Sequence, residues 1–120
     1  MANAKECMDR LMQIDGAVGS CIVDSNSGMV LAQAGGGPVN LEVAAAGNTE
    51  VVRAKLKTMK ALNLQDNIED ILITLSQQYH LIRLIRASES LFIYLVLDKS
   101  RSNLAMARHV LADSEKNLTI

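Results

Sequence analysis

The sequence predicts an α/β sandwich, with one antiparallel sheet of five strands and helices packed on both of its faces. Three observations lead there. Two short apolar runs, "AVGSCIVD" and "MVLAQA", flank the turn residues "SNSG". A long segment of helical period follows, over residues 40–62. Three strand-sized runs come next, and "LIRLIRA" and "LFIYLVL" carry apolar residues on both sides. A sheet covered on one face only would alternate apolar and polar residues more cleanly.

The 120 residues predict a single domain over 1–120, without internal repeat or linker. A chain of this size buries roughly two-thirds of its unfolded surface. With 49% apolar residues it is not a disordered chain. Its aromatic residues are Tyr79, Phe92 and Tyr94, so the core has to be aliphatic.

Residues 3–14 read as a first helix, with Asn3 as N-cap. Cys7, Met8, Leu11, Met12 and Ile14 recur at helical spacing, and Gly16 ends the segment. Residues 17–24 and 29–34 read as strands joined by Asp24-Ser25-Asn26-Ser27-Gly28. Short polar side chains there bond nearby backbone, and glycine accepts a positive φ. Gly35-Gly36-Gly37-Pro38 then turns the chain away from the sheet.

The second helix spans 40–62, with Asn40 as N-cap. Val51, Val52, Leu56, Met59 and Leu62 share one apolar arc with Leu41, Ala44 and Ala45. Val43, Gly47, Ala54 and Ala61 form a narrower stripe of small residues. Glu50, Arg53, Lys57 and Lys60 occupy a charged face. Lys55 falls inside the apolar arc and has to snorkel to its edge. Strands are then expected near 68–76, 79–87 and 91–98, joined as a meander. A last helix over 102–114 is capped by Ser102 or Ser100, and "EKNLTI" is expected to fray.

The chemical signals are sparse. Gly35-Gly36-Gly37 lacks a following Gly-Lys-Ser/Thr and lacks Gly-x-Gly-x-x-Gly spacing, so it reads as a loop. His80 and His109 have no cysteine or carboxylate at ligand spacing, and they read as ordinary surface or half-buried histidines. Cys7 and Cys21 form no Cys-x-x-Cys and read as free thiols in a reducing cytoplasm. Asp24 reads as a turn residue. No cofactor, metal or catalytic residue is expected. A formal charge of −1 and the scarcity of aromatics argue against nucleic-acid binding. Charges at Lys5, Glu6, Asp9 and Arg10 argue against a signal peptide, and no run approaches a membrane span. Arg53, Lys57 and Lys60 follow Glu42 and Glu50 along the helix, which complements its dipole; the same stripe could also dock a partner.

The segment "IDGAVGSCIVDSNSGMVLA", residues 14–32, resembles the first hairpin of the roadblock family, the dynein-light-chain-like domains. Gly16, Gly19, Asp24 and Gly28 look like that family's glycine-led strand and hairpin turn. The long helix, the meander and "LVLDKSRSNLAMARHVLAD" follow in the family's order. The resemblance implies one helix on one face of the sheet and two on the other. It also implies a cytoplasmic, non-catalytic homodimer that binds and regulates a Ras-like small GTPase. Pairing of third strands and second helices would place Ile71, Ile73 and Leu75, with Val43, Gly47, Ala54 and Ala61, at the dimer interface. Arg53, Lys57 and Lys60 are the candidate partner-binding residues. The alternatives are a scaffold subunit without effect on GTP turnover and a small-ligand sensor.

Overall fold

The computed structural model describes residues 2–119. The elements run α1 (Ala4–Leu11), β1 (Ala17–Asp24), β2 (Met29–Gly35), α2 (Leu41–Ala61), β3 (Asp70–Thr74), β4 (Gln78–Leu84), β5 (Leu91–Asp98), a 3-10 turn (Lys99–Arg101) and α3 (Leu104–Lys116). The strands form one five-stranded sheet in the order β2-β1-β5-β4-β3. Every neighbouring pair is antiparallel.

Strand β5 holds the centre and explains the weak alternation of its sequence. Leu91, Ile93, Leu95 and Leu97 enter one core with Met8, Leu11, Ile22, Leu81 and Leu111. Phe92, Tyr94 and Val96 enter a second core with Cys21, Val23, Leu41, Ala45 and Val52. Successive side chains of a strand point to opposite faces. Both faces of β5 are therefore buried, the first under α1 and α3 and the second on the side of α2.

Local chemistry fixes the joints. Asn3 Oδ1 accepts from the Glu6 amide at 2.8 Å, and Glu6 Oε1 accepts from the Asn3 amide at 3.1 Å. This capping box starts α1 as expected, but the helix stops at Leu11. Gly16 takes φ +84°, and a Cβ there would run into the Ser102 hydroxyl. Its carbonyl accepts from the Asp98 amide at 2.8 Å, which seats β1 against the end of β5. Gly28, at φ +76°, closes the β1–β2 hairpin, and Asp24 Oδ1 accepts from the Asn26 amide at 2.9 Å.

Several boundaries differ from expectation. Helix α3 starts two residues later than read, because Asn103 is its cap: Oδ1 accepts from the Met106 amide at 3.0 Å. Ser100 is instead absorbed by the 3-10 turn, whose cap is Asp98. The tail expected to fray is docked. Leu118 is buried in the α1–α3 core, and Glu115 is buried against Arg83. The Ala2 amide donates to the Asn117 carbonyl at 2.8 Å, so the two ends of the described chain lie together. Strand β3 covers only Asp70–Thr74, and Leu75 lies in the following turn, its amide donating to the Gln78 carbonyl at 2.8 Å. On α2 the buried arc is narrower than read: Leu41, Ala45, Thr49, Val52 and Met59 are buried, whereas Val51, Leu56 and Leu62 are exposed. Lys55 is exposed as well, so no snorkelling is required.

Candidate functional site

A five-stranded open sheet has two edges, and these two are unlike. Strand β2 carries a bulge: Val30 pairs with Val23 and Ala32 with Ile22, which leaves Leu31 without a partner. Helix α1 packs on one side of it and α2 on the other. Bulges and flanking helices are how native sheets blunt an edge. Strand β3 is short but carries no bulge. Its register against β4 is unbroken from Asp70↔Arg83 to Thr74↔Tyr79. After Asp70, which Arg108 Nη2 engages at 2.7 Å, residues 71–74 carry no charge and no proline.

The alternation of an antiparallel ladder identifies which backbone groups are free. The Leu75 amide donates to the Gln78 carbonyl across the turn. Two and four residues earlier, Ile73 and Ile71 bond inward to β4, opposite His80 and Ile82. Leu72 and Thr74 therefore present their amides and carbonyls outward. Ile71 and Ile73 contribute side chains instead, on the face of the sheet shared with α2 and half-buried there.

Helix α2 packs over β1 and β2, toward the opposite edge of the sheet. The predicted small-residue stripe points away from the core: Val43, Gly47, Ala54 and Ala61 are all exposed, Val43 by 69%. Leu62, at 61%, and Leu64 are also exposed just past the helix end. A Cβ at Gly47 would meet nothing within 4 Å, so nothing in its own chain requires glycine there. Of the predicted interface residues, Val43 and Gly47 share a groove with His80, the cross-strand partner of Ile73, whereas Ala54 and Ala61 lie further along α2 and outside it.

Between α2 and β4 lies a groove of about 400 Å³ lined by Val39, Asn40, Val43, Ala44, Gly47, Asn48, His80 and Tyr94. His80 and Tyr94 stack edge to face with ring centroids 5.5 Å apart. His80 Nε2 lies 2.9 Å from Gln78 Oε1, a contact made by the tautomer that carries its proton on Nε2. In that tautomer His80 Nδ1 takes the hydrogen of the Tyr94 hydroxyl, 3.0 Å away. Burial holds the imidazole below its ordinary pKa and pushes the Tyr94 phenol up. No local signal in the sequence marks His80, since its partner stands fourteen residues away on the next strand.

The three predicted partner-binding cations do not behave alike. Arg53 Nη2 donates to the Asn26 carbonyl at 2.7 Å, and its Nη1 reaches Glu50 Oε1 at 3.4 Å. Arg53 therefore ties α2 to the β1–β2 hairpin. Lys57 and Lys60 lie one and two turns further along and are exposed. Among the described residues no three His, Cys, Asp or Glu side chains gather as a metal site would require, and no helix is long and apolar enough to cross a membrane.

No protein-family model matches the chain, and comparison with the curated proteins gives no match. Solved structures do match. The Roadblock/LC7 domain of Streptomyces avermitilis superposes with a TM-score of 0.80 at 12% identity, over 96% of this chain and 93% of that one. MglB of Myxococcus xanthus gives 0.80 at 15% identity, over 92% and 80% of the two chains. The gliding protein MglB of Thermus thermophilus gives 0.71 at 18% identity, over 92% and 87%. At these identities the likeness establishes the fold. It is the roadblock fold expected from the hairpin motif and element order.

Proposed function

We propose that this chain, which has the Roadblock/LC7 fold, is a non-catalytic homodimeric binding module of the cytoplasm that regulates a Ras-like small GTPase. The observation that carries self-association is the unblunted edge of β3. An unbulged, uncharged edge, even one as short as Asp70–Thr74, leaves backbone groups open to pairing unless something covers it. Pairing with a symmetry mate fills the outward amides of Leu72 and Thr74 and is closed by a two-fold axis. Gly47 adds a second support. Glycine inside a helix costs roughly 0.5–1 kcal/mol relative to alanine. Its own chain leaves that site open, whereas close approach of a second α2 along Val43, Gly47, Ala54 and Ala61 gives the glycine a purpose.

The GTPase reading rests on the fold together with the hairpin resemblance. Lys57 and Lys60, with Arg53 beside them, form the docking surface in this reading. Single-turnover GTP hydrolysis by a panel of Ras-like GTPases tests it directly. A changed hydrolysis rate for one of them, saturating with the concentration of this chain, is expected. Binding without any change in rate would favour a scaffold, and absence of binding throughout would overturn the GTPase reading.

A further inference from the structure

The groove between α2 and β4 has a titratable floor. Ile73 of β3 stands opposite His80, while Val43 and Gly47 of α2 line the groove's other wall. His80 therefore lies between the two sets of residues assigned to self-association. We propose that His80 makes this self-association proton-sensitive, the neutral imidazole being sealed beneath the paired copies and its protonation opposing the pairing. This rests on the homodimer reading given above.

A neutral ring satisfies both of its contacts as they stand, one nitrogen donating to Gln78 and the other accepting from Tyr94. A proton on Nδ1 would face the Tyr94 hydroxyl hydrogen. The hydroxyl would have to turn and accept, and the Asn48 amide that bonds it would have to present its oxygen to the displaced hydrogen, a rearrangement around a residue that is 1% exposed. Among the described residues that face the ring, no anion is positioned to compensate. The groove residues of α2 are Asn40, Val43, Ala44, Gly47 and Asn48, all uncharged. Strand β3 offers Ile71 and Ile73 on this face, also uncharged. On β5, Tyr94 and Val96 flank the ring, and Asp98, opposite Gln78, spends its Oδ1 on the amide and hydroxyl of Ser100. The Cys21 thiol across from Tyr94 is pushed up to about 12 by burial and stays neutral. Covering the groove with a second copy removes its water and penalises the cation further.

The sign follows from which state holds more protons. The unpaired chain binds a proton more readily than the paired one, so lowering pH drains the dimer. Each protomer contributes up to about tenfold per pH unit below the monomer's pKa, hence on the order of a hundredfold per unit for two. Burial already holds His80 below its ordinary pKa, so sedimentation equilibrium of the full chain is followed from pH 7.5 down to about 4.5, with His80→Gln subtracting what the carboxylates contribute. The dissociation constant should rise as pH falls, and His80→Gln, which keeps a neutral acceptor for Tyr94, should dimerise with little pH dependence. His109→Gln, on an exposed part of α3, should keep the wild-type slope. A dimer whose affinity is flat across this range, or a His80→Gln variant with the wild-type slope, overturns the proton switch alone. A monomer at every pH overturns the homodimer reading and the switch together.

Discussion

Arg83 Nε donates to Glu115 Oε1 at 3.1 Å, and both side chains are buried. The pair ties β4 to the last turn of α3, where a carboxylate opposes the helix dipole and needs a cation beside it. Glu115 Oε2 also accepts from the Arg86 amide at 3.4 Å. Removing one partner of a buried pair strands the other charge, at about 3–5 kcal/mol. Glu115→Ala is therefore expected to lose that much in urea unfolding, whereas Arg83→Met combined with Glu115→Leu should recover most of it. A loss under about 1 kcal/mol for the single variant, the level of an exposed pair, would show that the contact is not formed.

Gly47→Ala separates the needs of one chain from those of two. In the isolated chain there is room for the methyl group, and helix propensity predicts a gain of roughly 0.5–1 kcal/mol. Unfolding at dilute, monomeric concentration reads that gain. If helices approach along this stripe, the same variant should weaken self-association. Greater stability together with undiminished pairing would remove Gly47 from the interface.

Both cysteines should be silent in the native protein. Burial pushes Cys7 up to about 11 and Cys21 up to about 12. The thiolate is the reactive form, so alkylation at pH 8 is expected to be slow until denaturant is added. Rapid native labelling of Cys21 would contradict its place under α2.

The basic face should be tested with Arg53 left in place. Arg53→Glu would cut the tie to Asn26 and confuse folding with docking. Lys57→Glu with Lys60→Glu changes exposed charge only, where single contacts contribute about 0–1 kcal/mol to stability. If the proposed GTPase docks here, the folded double variant is expected to lose salt-sensitive association with it. Undiminished binding would put the docking surface elsewhere.

The sheet was legible in the sequence because its signals are local. The β1–β2 turn is written in residues 24–28, and the doubly buried β5 shows as an unbroken apolar run over 91–97. What escaped depends on contacts distant in sequence. "EKNLTI" looks polar and free, yet Glu115 meets Arg83 from 32 residues away. Leu56 and Leu62 fit a helical arc, but α2 packs mainly toward β1 and β2 and leaves them exposed. The small-residue stripe was readable from its period. The groove was not, since it exists only where α2, β4 and β5 meet.

Pairing through β3 is the central claim, and Thr74→Pro addresses it most directly. Thr74 is an exposed residue whose amide points away from β4, so proline removes an outward donor and leaves the ladder within the chain intact. Sedimentation equilibrium at neutral pH should give twice the chain mass for the wild type and a folded species of single chain mass for the variant. A wild type that remains a soluble monomer at micromolar concentration, or a Thr74→Pro variant that dimerises as tightly as the wild type, would contradict the account.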